Sequence, residues 1–478
     1  MKRIAFSIIC LTLFFCPGCF TKKEIIIPPK PLLAVASLPE EPADPERMVN
    51  TGSILLHNAT IMTANGETFS PGYIHFSNGT IEALGPGAPG NIPQGTVVLD
   101  ISGKFITPGL IDTHSHMGVY PIPYVSAHSD GNEATNPTTP DVWAEHSFWP
   151  QDPAIFRALA GGVTTIQVLP GSANLIGGRS YIAHLYPQIS ARQMRFPGAP
   201  QGLKMACGEN PKRVYKNKGR GPSTRMGNIA GLRNIFQKAH EYTQRWETYK
   251  RDLEYWTKTN HLDPKKSDDP PALPERNLAM ETLSKVIQGE ILVHNHCYRA
   301  DEMHLMLDLA QEFGFKIRSF HHALEAYKLA PRLAREGVAV STWADWWGFK
   351  MEAFDGIPQN AGLVSRAGAR AIIHSDSSND IRYLNQEAAK ARAAAAKIGL
   401  AIEDNETLKW ITSNPAWALG IDDKVGTLEV GKWADLVIWD KNPFSVYSHV
   451  EQVIINGMLV YEQDGEQSYQ SDFEINTQ

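Results

Sequence analysis

Residues 108–120 read PGLIDTHSHMGVY. Pro108 and Gly109 open an apolar run, and the run ends on two histidines one residue apart, His114 and His116. On a β-strand, residues i and i+2 point to the same face. The two imidazoles therefore project together. If LIDTH is a barrel strand, they project from its carboxyl end, where barrel active sites sit. One His-x-His pair suits either a metal site or ordinary hydrogen-bonded loop histidines, so its neighbours in the sequence decide.

The middle of the chain repeats the same pattern. GVTTIQVLP (162–170), GLKMACGEN (202–210), EILVHNHCY (290–298), KIRSFHHA (316–323), GVAVSTWAD (337–345) and ARAIIHSDS (369–377) are short apolar runs, each followed by a helix-like stretch. Strands alternating with helices predict a parallel sheet. With 108–117 as a first strand, the expectation is an α/β fold, a closed (β/α)8 TIM barrel over 108–420. No G-x-G-x-x-G or Walker pattern follows these runs, which removes the usual nucleotide-binding reading.

Both ends of the chain alternate with period two. SILLHNATIMTANG (53–66), YIHFSNGTIEALG (73–85) and VVLDISGKFITPG (97–109) are answered by VGTLEVGKWADLVIWD (425–440) and VEQVIINGMLVYE (450–462). Asn-Gly at 65–66, 78–79 and 456–457 marks turns. The pattern predicts one small β-sandwich built from both ends, residues 51–107 plus 421–465.

The first residues are of another kind. Met1-Lys2-Arg3 precedes the apolar run Ile4 to Phe15, too short to span a membrane and read as a secretory signal over 1–19. Gly18-Cys19 resembles a bacterial lipoprotein processing box, which makes Cys19 the expected lipid anchor and puts the protein in the periplasm or on the outer membrane. Residues 20–50 are rich in Pro and Glu and read as a tether, and 466–478 as a C-terminal tail. Three of the five cysteines lie in the signal region. Cys207 and Cys297 remain, able to pair but read as small core residues.

Composition narrows the partners. The 478-residue chain is 42% hydrophobic and 20% charged, with a formal charge of −6, which gives no reason to expect nucleic acid. The expected partner is a small-molecule or short-peptide substrate, with a second copy of the chain as a further possibility. Leu232, Ile235, Ala239, Tyr242, Trp246, Tyr249, Leu253 and Trp256 step by three and four, one stripe of a long helix. It packs on the barrel, or serves as a lid or dimer contact.

Histidines gather at the strand ends. His114 and His116, His294 and His296, His321 and His322, and His374 beside Asp376 end four of the apolar runs. Neutral imidazoles with a carboxylate suit Zn2+ or a similar divalent ion. Such an ion lowers the pKa of bound water to about 7, giving a hydroxide nucleophile. Asp376 is then the catalytic residue, a proton shuttle between water and leaving group.

The set PGLIDTHSH, AGGVTTIQVLPGS, HNH, SFHHALEAYK, HSDS, SNPAWALGI and VGTLEVGKWADLVIWD resembles the metal-dependent amidohydrolase superfamily, in its imidazolonepropionase-related and prolidase-like branch. The resemblance implies that His114, His116, His294, His322 and Asp376 bind metal, with His296 and His321 beside the better-aligned histidines. It implies one or two ions, two of them bridged by Lys204 or Glu209, with Glu209 slightly preferred. Cyclic deaminases of the family place Glu or Gln where this chain has Cys297, which favours amide or cyclic-amide hydrolysis over heterocycle deamination. A non-catalytic envelope binding protein is the remaining alternative. Arg179, Arg213 and Arg299 are candidate substrate-carboxylate ligands, Tyr298 is a candidate oxyanion donor, and Trp343, Trp346 and Trp347 can wall the pocket or fill the core.

Overall fold

The computed structural model describes residues 44–260 and 269–465. The expected signal segment and C-terminal tail, and the tether up to residue 43, lie outside the described residues. In chain order, five strands come first: β1 (Ser53–Met62), β2 (Thr68–Ser77), β3 (Thr80–Pro86), β4 (Val97–Asp100) and β5 (Phe105–Pro108). The central strands are β6 (Leu110–Ser115), β7 (Val163–Val168), β8 (Ile176–Arg179), β9 (Tyr181–His184), β10 (Gly202–Ala206), β11 (Leu292–Cys297), β12 (Ile317–His322), β13 (Ala339–Thr342) and β14 (Ala371–Ile373). The chain closes with β15 (Leu436–Trp439), β16 (Val450–Ile455) and β17 (Met458–Glu462).

The two chain ends form one eight-stranded sheet in the order β17-β16-β15-β5-β1-β2-β3, with β4 paired to β1. Period-two alternation puts one set of side chains into a separate core of Leu56, Ile61, Ile74, Phe76, Ile106, Leu436, Ile438 and Ile454, each stabilising by about 1.5–3 kcal/mol on full burial. The Asn-Gly signals at 78–79 and 456–457 are two-residue hairpins: all four residues have positive φ, and Ser77 faces Thr80 as Ile455 faces Met458. Asn65-Gly66 lies instead in a longer loop, closed by Thr63 N–H to the Glu67 carbonyl at 3.2 Å. The last tether residues are docked rather than loose. Arg47 lies 4.2 Å over the Trp433 ring and donates to Asn456 Oδ1 at 2.8 Å.

The middle is mixed α/β. Strands β10 to β14 run parallel in register, with β8 antiparallel on the β10 edge, and β6 pairs β7 in parallel with β9 antiparallel beyond it. Side chains and backbone join the two sheets on both flanks. Thr113 and Ser341 hydroxyls meet at 2.9 Å, Ser375 N–H donates to Asp112 at 3.2 Å, and Ser180 N–H donates to the Gly202 carbonyl at 2.9 Å. All seven central runs expected as strands are strands. The β8–β9 pair was not expected, because a Gly-Gly run is a poor strand former. Gly178 has φ +118°, and a Cβ there would sit 2.5 Å from the Val142 backbone oxygen, so only glycine allows that approach.

The long insertion is the helix Arg225–Asn260. Leu232, Phe236, Ala239 and Tyr242 are buried in the main core, whereas Trp246, Tyr249, Leu253 and Trp256 are half-buried. The first half of the stripe thus packs as expected. Cys207 and Cys297 correct the sequence reading: they form a disulfide with Cα atoms 5.3 Å apart. Parallel pairing of β10 with β11 brings the two strand ends side by side, a proximity that sequence spacing does not reveal.

Candidate metal centre

The carboxyl ends of β6, β11, β12 and β14 converge on one cluster. His114, His322 and His374 form one donor group and His114, His116 and Asp376 another, each with donor atoms within 4.8 Å of one another. Asp376 Oδ1 lies 3.2 Å from His116 Nε2 and 3.6 Å from His114 Nε2, and its Oδ2 lies 3.9 Å from His322 Nδ1. Two of these residues are bent out of ordinary strand geometry. His322 has φ +68° and Asp376 φ +51°, a left-handed conformation that costs a non-glycine residue roughly 1 kcal/mol or more. Asp376 N–H is held by the His114 carbonyl at 3.0 Å.

Hydrogen bonds on the far side of the His116 and His114 rings bear on which nitrogen faces the cluster. His116 Nδ1 donates to the Leu169 carbonyl at 2.8 Å, leaving the Nε2 lone pair toward Asp376. His114 Nδ1 lies 2.9 Å from His321 Nδ1, and His321 Nε2 lies 3.1 Å from His294 Nδ1. Below them Asp112 accepts from His114 N–H at 3.0 Å and from the Ser375 hydroxyl, and burial pushes its carboxyl up to about 6. Burial pushes the imidazoles down, His294 and His374 to about 3, and His114, His296, His321 and His322 well below their ordinary value. All six are neutral at pH 7, the form that ligates metal.

These residues fit a divalent ion. His294 Nε2, His296 Nδ1, His322 Nδ1 and both nitrogens of His374 are buried without a hydrogen-bond partner. A polar atom left so costs about 1–3 kcal/mol, which coordination would offset. The cluster is open on one side, where the side chains of His116 and Asp376 are each 21% exposed.

Placement separates the other expected residues. Lys204 is inside: it lies opposite His294 in register, its ammonium donates to the Pro170 carbonyl at 3.0 Å, and burial lowers it to about 7 against the pull of Asp376. Glu209, the preferred bridge, is not part of either donor group. It begins the helix Glu209–Asn217, and its carboxylate lies 3.7 Å from Lys350 Nζ. His294 is also outside both groups, one strand repeat deeper than His296, whose ring lies 4.6 Å from that of His322. His374 enters a donor group although the family resemblance had assigned it no role. Its spacing to Asp376 was the available signal.

The arginines leave the centre. Arg179 is buried, donates to Thr282 at 2.9 Å and lies 4.4 Å over the Trp143 ring. Arg299 pairs with Asp301 at 2.9 Å on the surface. Arg213 is exposed and donates to Asn210 Oδ1 at 3.2 Å. Tyr298 does belong to the site. Its ring stacks on His322, with centroids 5.2 Å apart and 17° between planes, and its hydroxyl makes no hydrogen bond among the described residues. Burial, with the carboxylates of Asp376, Glu352 and Glu209 nearby, pushes that phenol up. Trp343 is core, 4.3 Å from the His322 ring and donating to the Ser375 carbonyl at 3.1 Å, whereas Trp346 and Trp347 are exposed.

A mixed α/β fold with a His–Asp cluster at strand ends defines a class of metal-dependent hydrolases. Residues 319–461 match the model of the amidohydrolase family. An amidohydrolase from Thermotoga maritima MSB8, whose crystal structure is known, is 34% identical with a TM-score of 0.74, covering 86% of this chain and 100% of that one. The amidohydrolase tasK of Hapsidospora irregularis is 30% identical over 459 residues, 89% of this chain; the chain spans 45% of that relative's length. The imidazolonepropionase of Fusobacterium nucleatum subsp. nucleatum is 22% identical over 451 residues, 82% of this chain and 91% of that protein. The chain belongs to the amidohydrolase family, and its similarity extends to imidazolonepropionases.

Proposed function

We propose that the chain hydrolyses the carbon–nitrogen bond of an amide or cyclic amide in a small molecule or short peptide. The observation that carries this reading is the pair of donor groups that share His114, one with His322 and His374 and one with His116 and Asp376, with unpartnered nitrogens on His322 and His374. His296 joins them in this reading, in preference to His294. A divalent ion held there, Zn2+ in this reading, supplies Lewis acidity to water and to the scissile carbonyl.

The chain's own groups do the rest. Asp376 stands at the open side with one oxygen 3.2 Å from His116 Nε2. It takes a proton from the attacking water and delivers it to the departing nitrogen. The unbonded Tyr298 hydroxyl donates to the developing oxyanion. Lys204, lowered to about 7 by burial, has enough uncharged amine at neutral pH to take up carbon dioxide as a carbamate with loss of a proton. That would make Lys204, rather than Glu209, the bridge to a second ion.

The finer architecture in this reading is a (β/α)8 barrel carrying the centre, with a β-sandwich from both chain ends. The Cys207–Cys297 disulfide supports an oxidising compartment, in keeping with the expected signal segment and lipid anchor. Among the described residues no helix is long and apolar enough to cross a membrane. Heterocycle deamination loses ground, because Cys297, at the position where deaminases carry an acid, is tied in the disulfide.

The test is metal quantification on the purified chain, followed by assay of dipeptides, N-acyl amino acids and cyclic amides before and after chelation. Hydrolysis that disappears with the metal and returns with Zn2+ is expected. Full activity in a metal-stripped sample would overturn the reading, and a chain that retains no divalent ion would favour a binding protein.

A further inference from the structure

The segment that follows β13 carries aromatic side chains in an unusual arrangement. Trp343 stacks on His322 at 4.3 Å and 21°, and Trp346 stacks on Trp343 at 5.1 Å and 14°. Three nearly parallel rings thus lead outward from the metal cluster. Phe349 stands across them, 82° to Trp346 with centroids 6.5 Å apart and 85° to Trp343 at 5.9 Å. Trp346 and Phe349 make two walls at a right angle. Each is open to solvent, 38% and 54% exposed.

The corner is held from below. Gly348 N–H donates to the Ala353 carbonyl at 2.8 Å. Glu352, only 3% exposed, accepts from Glu209 N–H at 2.6 Å and pairs with Arg225. Lys350 lies 4.0 Å over the Tyr298 ring, which also stacks on His322 and meets Phe349 edge-on at 6.2 Å. A loop anchored at this many points does not expose two aromatic faces for want of somewhere to put them. A flat apolar group entering the corner meets one ring face-on and the other edge-on, the arrangement aromatic pairs prefer.

We propose that Trp346 and Phe349 form a subsite for an aromatic ring, so that the substrate is an amide carrying an aryl group on a chain that reaches from the scissile carbon–nitrogen bond past Trp343 to the corner. This rests on the metal-centred hydrolase reading, since it is the His322–Trp343–Trp346 stack that ties the corner to the reacting bond. Trp347, 59% exposed, belongs to the same loop but takes part in none of these ring contacts and is the natural control.

The experiment compares two metal-seeking probes, acetohydroxamate and the longer 6-phenylhexanohydroxamate, by calorimetry on the zinc-loaded full chain. The wild type is expected to bind the phenyl compound at least about tenfold more tightly. Trp346→Ala and Phe349→Ala should each remove most of that preference and leave acetohydroxamate binding unchanged. Trp346→Phe should keep most of it, and Trp347→Ala all of it. If acetohydroxamate binds and the ring adds nothing, the subsite is overturned and the metal centre stands. If neither probe binds, the metal-centred reading falls and takes the subsite with it. A preference unaffected by either alanine would also overturn the proposal, as would a change of oligomeric state as the sole effect.

Discussion

The Nδ1 atoms of His114 and His321 lie 2.9 Å apart. One proton must occupy that contact, and its owner determines the rest of the chain of rings. If His114 offers its Nε2 lone pair to a metal, its proton is on Nδ1 and His321 Nδ1 accepts. A neutral His321 then carries its proton on Nε2 and donates to His294 Nδ1, 3.1 Å away. His294 is left with its own proton on Nε2, where it has no lone pair to give. In that protonation state His294 would support His114 rather than ligate, at the cost of a buried Nε2–H without a partner. Replacing His294 by Gln should weaken zinc binding about 10- to 100-fold while keeping the stoichiometry. His296→Ala should lower the bound-metal content itself. Chelator competition with metal analysis checks both, and loss of metal only on His294 substitution would reverse the assignment.

Asp376 is the one carboxylate in either donor group and sits on the open side. Asp376→Asn should retain at least one zinc ion and fold normally while kcat falls by about 10²–10⁴. Turnover within a few-fold of wild type would show that another group moves the proton.

Acid should destabilise the metal-free protein in a defined window. Burial holds the six cluster imidazoles far below the ordinary value near 6.5, with His294 and His374 near 3. Their stabilisation is present above pH 6.5, where folded and unfolded forms are both neutral. It is lost as pH falls from 6.5 toward 3, because the unfolded chain binds protons that the folded one refuses. Each imidazole steepens the slope by about 1.4 kcal/mol per pH unit. Asp112, raised to about 6, works in the opposite sense between about 6 and 4 and offsets roughly one of them. Thermal melts of chelated protein should show a steep fall in Tm from pH 6.5 to 4. A flat profile there would mean the cluster is wetter than described.

The Cys207–Cys297 disulfide closes a sequence separation of 90 residues. Replacing both cysteines by serine should cost about 2–5 kcal/mol, read as a lower urea midpoint. An unchanged midpoint would leave the bridge without a stabilising role.

Arg179 was a reasonable substrate ligand by sequence, since it follows a glycine-rich turn. Its guanidinium instead ties β8 to Thr282 and Gln201. Arg179→Ala should therefore lower stability by about 2–4 kcal/mol and leave KM for any accepted amide unaltered. A raised KM with unchanged Tm would restore the substrate role.

The strands of the centre were legible because each ends an apolar run in ionisable residues, and the Asn-Gly turns because their backbone demands are local. What sequence could not supply was depth. His294 and His296 share a face of one strand, and only the register of β11 on β12, which sets His294 beside Ser319 and His296 beside His321, shows which imidazole comes near His322. The same limit hid the disulfide and misplaced Glu209, whose direction depends on where β10 stops and the next helix begins. Phe349 escaped notice because its value lies in an angle with Trp346. Asp112 shares a strand face with His114 at spacing two, and was the one missed residue that the opening stretch could have yielded.

Strand β5 lies between β1 and β15, four residues facing partners from the far end of the chain. During synthesis that edge emerges early and stays unpaired until Leu436–Trp439 has been made. An incomplete nascent chain therefore carries an open hydrogen-bonding template, the kind that recruits strands from other molecules. The protein can be finished only as a whole: products that stop short of β15 should aggregate, even though every residue of the metal cluster has already been translated.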